Sequence, residues 1–141
     1  MRVMVILKAT AGSERGAMPS KELMTAMASY NEELANAGVI VTGEGLRPSS
    51  HGKRLVFLEG GRQEVVDGLF GATSELCSGF WLWKVKSMDD ALEWARRCPN
   101  PMPGETSQLE IRPLYEVEDF GEVMSEELQE RERTLRAKLE S

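Results

Sequence analysis

A chain of 141 residues can bury one hydrophobic core without staples, and 41% hydrophobic with 28% charged residues is the balance of an ordinary globular domain. The net charge of −6 argues against a nucleic-acid partner, because phosphate binding needs a basic face; no apolar run approaches the roughly 20 residues that cross a bilayer. Cys77 and Cys98 have neither metal-ligand spacing nor the density of a disulfide scaffold, so two reduced, largely buried thiols in a cytoplasmic protein are expected.

The opening residues are too short for a signal peptide, and Arg2–Lys8 reads as a first buried strand. A polar loop, Ala9–Met18, follows. Pro19-Ser20 opens a helix in which Leu23, Met27, Tyr30 and Leu34 recur at helical spacing, and Gly38 closes it. Val39–Glu44 is a second predicted strand, and Gly45–Gly52 is a loop rich in Gly, Pro and Ser. Arg54–Glu59 and Gln63–Asp67 are expected to form a hairpin through Gly60-Gly61, the residues a tight primed turn prefers. Asp67-Gly68 is a turn dipeptide, since Gly tolerates positive φ and Asp bonds its own downstream backbone. Phe80–Lys86 alternates as a strand, with Trp81, Trp83 and Val85 on one face and Phe80, Leu82 and Lys84 on the other. Ser87, three residues before Asp90, starts a helix over Met88–Cys98 that Pro99 stops, and Leu109–Leu114 is the last strand.

Without the hairpin this order is β-α-β-β-α-β, the split βαβ arrangement of ferredoxin-like α+β folds, with both helices on one face of a mainly antiparallel sheet. The other face would then be open and apolar. Trp81 and Trp83 are poor residues to leave wet, so their stripe is expected to be buried against either the helices or a partner. A second copy is the simplest cover for the open face, and a homodimer with facing sheets is expected. After Pro113 the chain turns acidic (Glu116–Phe120), and Ser125 begins a charged helix, Glu126–Leu139, with a narrow seam of Leu128, Leu135 and Leu139. Residues 1–115 are therefore read as the folded domain, and 116–141 as an accessory segment ending in a helical arm.

Asp67 is the leading candidate for chemistry, a carboxylate at a strand end where a turn can aim it into a cleft for acid/base work. Plain turn chemistry is its competing explanation. Glu44, between Gly43 and Gly45, is a second strand-end acid, and the glycines would let a ligand approach the backbone. Thr73 and Glu75 either line the same pocket or cap a short turn. Arg54 and Arg112 offer anion-binding guanidinium groups, or pair with Glu44, Asp67 or Glu110. His51 beside Ser49 and Ser50 has none of the surroundings of a nucleophile elbow, so a Ser-His-Asp triad with Asp67 is rejected. One histidine and scattered acids argue against a metal site, and Gly43-x-Gly45 and Gly60-Gly61 are too sparse for a phosphate loop.

Several longer blocks co-occur: M-P-S-K-E-L-M-T-A-M-A-S-Y-N-E-E-L-A-N-A-G (Met18–Gly38), G-E-G-L-R-P-S-S (Gly43–Ser50), Val65–Pro99, C-P-N-P-M-P-G-E (Cys98–Glu105) and I-R-P-L-Y-E-V-E-D-F-G (Ile111–Gly121). Together they resemble the YCII-related, or DGPF-domain, family. The resemblance implies a ferredoxin-like fold that forms a dimeric α+β barrel and a polar cleft with enzymatic activity of unassigned reaction. It also implies, for some members, an association with extracytoplasmic-function sigma factors. The namesake block usually reads D-G-P-F-A-E-T-K-E; here Asp67, Gly68, Phe70, Thr73 and Glu75 match, Leu69 replaces the proline, and Ala72 and Ser74 replace a glutamate and a lysine. A site relying on that glutamate would be disarmed. The expected function is thus binding of a small polar or aromatic molecule, with cofactor-free proton transfer by Asp67 and ligand contacts from Glu44, Phe70, Thr73, Glu75 and Arg54. The alternative is a non-catalytic interaction or regulatory module, in which restoring a glutamate at Ala72 would do nothing.

Overall fold

The main sheet is ordered around β1 (Arg2–Lys8), which pairs antiparallel with β5 (Cys77–Lys84) on one side and β6 (Leu109–Pro113) on the other. β2 (Ile40–Gly45) pairs antiparallel with the outer edge of β5, giving the order β2-β5-β1-β6. The computed structural model describes every residue except Ala72, and Ser74 without its side chain. Ala72, singled out above as the replaced glutamate, therefore lies outside the described residues.

Register follows from alternation. Val3 stands opposite Trp83 and Val5 opposite Trp81 and Ile111, so one face of the sheet is an unbroken apolar layer. Two helices cover it: α2 (Lys21–Asn36) with Tyr30 and Leu34, and α3 (Met88–Arg96) with Ala91. Both begin as their sequences require, with Ser20 and Ser87 accepting hydrogen bonds from the backbone of Leu23 and Asp90. Gly38, at φ +72°, follows the C-cap Ala37 and ends α2 in the left-handed conformation. The order and the antiparallel pairing are those of a ferredoxin-like α+β fold, as expected.

The tryptophans join this helix-covered layer. Trp83 is fully buried; Trp81 packs edge-on against Tyr30, 6.0 Å between ring centroids, and its Nε1 donates to Asn31 Oδ1 at 2.9 Å. They are therefore no reason for a partner to cover the sheet. The opposite face carries the other parity, Met4 and Ile6 of β1 with Phe80 and Leu82 of β5, all half-buried.

Three local expectations are corrected. The stretch Ala9–Met18 is not all loop: Thr10 and Ser13 form a capping box that starts a one-turn helix, α1 (Ala11–Glu14). The hairpin of β3 (Lys53–Phe57) and β4 (Gln63–Asp67) is a separate two-stranded sheet. Its connection is wider than a tight primed turn: a turn over Glu59–Gly61, with Gly60 and Gly61 at φ +83° and +84°, bracketed by the Leu58 N–H on the Arg62 carbonyl. Gly68 does not adopt positive φ. It is glycine because its backbone lies against Ser49, where an added Cβ would fall 1.7 Å from the carbonyl oxygen.

The tail leaves the sheet through an ion pair, with Arg2 Nε and Nη2 donating to both carboxylate oxygens of Glu116 at 3.1 and 2.9 Å. A turn over Val117–Val123 follows, with Phe120 folded onto Tyr115. The last helix, α4 (Glu126–Glu140), is capped by Ser125 and laced by Glu130–Arg133 and Glu132–Arg136 pairs. Its seam residues Leu128, Leu135 and Leu139 are exposed.

Candidate functional site

A cavity of about 710 Å³ opens at one end of the sheet, where the last residues of β1, α1, the start of α2, the β2–β3 loop and the Pro101–Glu105 loop converge. Leu7, Met18, Leu23, Leu46, Pro48 and Met102 make it mainly apolar; Ser13, Ser20, Arg47, Ser78 and Glu105 are its polar side chains.

Two carboxylates hold its walls in place. Glu105 accepts from Thr10 Oγ1 at 2.8 Å and from the Gly12 N–H at 2.9 Å, binding the Pro101–Glu105 loop to α1. An added Cβ at position 12 would stand 2.6 Å from Glu105 Oε2, so any larger residue there would have to displace that carboxylate. The Gly12 N–H, then the Thr10 hydroxyl and the charge of Arg15 outweigh desolvation and hold the Glu105 carboxyl below the usual carboxylate range. On the other side, Glu14 accepts from both the N–H (3.0 Å) and the hydroxyl of Ser49, fixing the β2–β3 loop to α1. Ser49 Oγ in turn accepts from the Phe70 N–H at 3.2 Å. With the Gly68 N–H on the Gly52 carbonyl (3.1 Å), this seats the Asp67–Phe70 turn behind the cavity wall.

The residues expected to form the site do not meet around this cavity. Asp67 is exposed and paired with Lys53 Nζ across the hairpin at 2.5 Å. The Arg54 guanidinium lies 4.1 Å over the Phe70 ring, which itself packs on Gly52. Thr73 opens a short turn whose carbonyl accepts from Leu76 N–H, and Glu75 is exposed within it. Glu44, exposed on the edge strand β2, borders a separate cavity of about 280 Å³ together with Asn31, Phe80 and Trp81. Gly43 serves that indole rather than a ligand, because a Cβ there would lie 2.5 Å from Trp81 Cδ1. His51 is exposed in its loop. Both cysteines are free and partly buried; burial pushes the Cys98 thiol up to about 11, so it stays protonated and inert at neutral pH.

Sequence reasoning passed over Glu14, Arg47 and Glu105. For two of them a signal was present: Arg47 lies in the block Gly43–Ser50 and Glu105 ends the proline-rich block Cys98–Glu105, segments that the pattern marked without assigning them a task.

A helix-backed antiparallel sheet with a loop-walled cavity at its end defines the class, a ferredoxin-like α+β domain whose cavity is built from connections. The family model of the YCII-related domain matches residues 1–115, and the chain belongs to that family. The chain is also similar to an uncharacterised protein of Rhizobium meliloti (strain 1021), 43% identical over 54 residues. That match covers 38% of this chain and 43% of the relative. No helix is long and apolar enough to cross a membrane among the described residues.

Proposed function

We propose that this YCII-related protein binds a small molecule in the cavity between α1, the start of α2 and the β2–β3 loop. The observation that supports it is the pinning of two separate walls, by Glu105 and by Glu14, around about 710 Å³ of mainly apolar space. In this reading the Asp67–Phe70 turn is a buttress: it seats Ser49, and Ser49 seats the loop. The acid/base role expected of Asp67 is not carried into the proposal, because its carboxylate is exposed and neutralised by Lys53.

Filling the cavity tests this. A panel of small metabolites screened by thermal shift should contain compounds that raise the melting temperature of the natural protein but not of Leu23→Trp. Compounds that stabilise both equally would place the site elsewhere.

A second proposal rests on the ribbon. Leu55, Phe57 and Val65 share one face of the β3–β4 hairpin and are 50%, 75% and 66% exposed, more apolar surface than a lone ribbon retains without cover. A second copy of the chain is the occupant proposed for this face and for the half-buried sheet face, making a homodimer. If light scattering instead finds a monomer, the ribbon becomes the docking face of the interaction-module alternative.

A further inference from the structure

We infer that the cavity takes a small amphipathic anion, an apolar body carrying a carboxylate or similar acidic head, with Arg47 as the residue that recognises the charge. The inference rests on the binding reading above and goes further by elimination of the cavity's polar groups. Ser13 Oγ is used twice by Thr10, accepting from its N–H at 2.9 Å and donating to its carbonyl at 3.1 Å. Ser78 Oγ donates to the Leu7 carbonyl at 3.3 Å. Glu105 spends both oxygens on Thr10 and Gly12, and the nearby Glu14 spends both on Ser49, so each carboxylate is held by neutral donors. Ser20 Oγ accepts from the Leu23 N–H at 3.1 Å and keeps its own proton to donate.

What remains is donor-type. Among the described residues Arg47 has neither an ion pair nor a side-chain hydrogen bond, and it is the only cationic residue lining the cavity. A guanidinium and a hydroxyl proton that the cavity walls do not themselves engage select a ligand that brings acceptors and negative charge. The rest of the lining selects the body. Leu7, Leu23, Leu46 and Pro48 are fixed apolar surface, and Met18 and Met102 are unbranched side chains that adapt to the shape of an alkyl or aromatic group. A neutral ligand of the same body would leave Arg47 unmatched and gain nothing from it.

Matched probes decide this. Octanoate and 1-octanol, which share a chain and differ in head-group charge, would be titrated into the full-length protein by calorimetry at low salt. Octanoate should bind about tenfold tighter or better, as charge-assisted hydrogen bonds to one arginine allow. Arg47→Gln should erase that advantage while leaving 1-octanol unchanged. Leu46→Trp, on an exposed loop, and Leu23→Trp should each abolish binding of both probes. Equal affinity for the two probes, with both lost in the filled variants, would overturn the anion inference and leave the cavity reading standing. An octanoate preference that survives Arg47→Gln would also overturn it. Failure of both probes to bind, or binding indifferent to both filled variants, would overturn the cavity reading together with the inference.

Discussion

Neighbouring residues of the Asp67–Glu75 block carry different physical loads. Asp67 and Lys53 form an exposed ion pair, 74% and 69% accessible at the side chain. Pairs of that kind contribute at most about 1 kcal/mol, so Asp67→Asn should move the denaturation midpoint little. Gly68, one residue on, meets backbone rather than solvent. Gly68→Ala should cost about 1–3 kcal/mol, since the methyl displaces the Ser49 carbonyl and with it the cavity wall. Chemical denaturation of the two variants side by side checks the contrast, and a larger loss for Asp67→Asn would restore importance to that carboxylate. Glu105 makes a pH-dependent prediction. Its folded carboxyl titrates below the ordinary value of 4.5, so the unfolded chain binds more protons in that window and stability rises with pH. The melting-temperature advantage of the natural protein over Glu105→Gln should be complete above the ordinary carboxylate range and shrink as the pH falls through the lowered value. An advantage that grew on acidification would contradict the assigned hydrogen bonds.

At the scale of elements, helices and strands were legible wherever an amphipathic period met a cap. Ser20 with Leu23, Tyr30 and Leu34, and the alternation from Phe80 to Lys86, each place an element within a few residues of its observed ends. The one-turn helix α1 escaped notice because four residues are too few to show a period, and only the Thr10/Ser13 box announces it. α4 is the reverse case, a helix clear in sequence but bound to little. Its leucine seam is exposed and its pairs are internal to the helix. Removing residues 125–141 should therefore leave the far-ultraviolet strand signal intact and the melting temperature nearly unchanged, because the sheet is complete at Pro113 and the Arg2–Glu116 pair is retained. Loss of the strand signal on truncation would show that α4 supports the core.

For the whole molecule, the proposed association and the cavity test separately. Phe57→Lys puts a charge at the turn end of the ribbon's apolar face and should shift the protein from dimer toward monomer in light scattering, without altering ligand binding in the cavity at the other end of the α1–Ser49 link. A dimer indifferent to this change would assign the interface to the sheet face alone. The chain by itself determined the α+β class, the helix caps and the parity of Trp81 and Trp83, because each is written in short-range period and turn chemistry, and its co-occurring blocks carried the family resemblance. Tertiary structure decided which parity faces the helices, and that Arg47, Ser20 and Glu105 line one cavity while Asp67 stands outside it. Sheet order brings together loops that are remote in the chain, and the exposure of a carboxylate depends on what those loops place beside it.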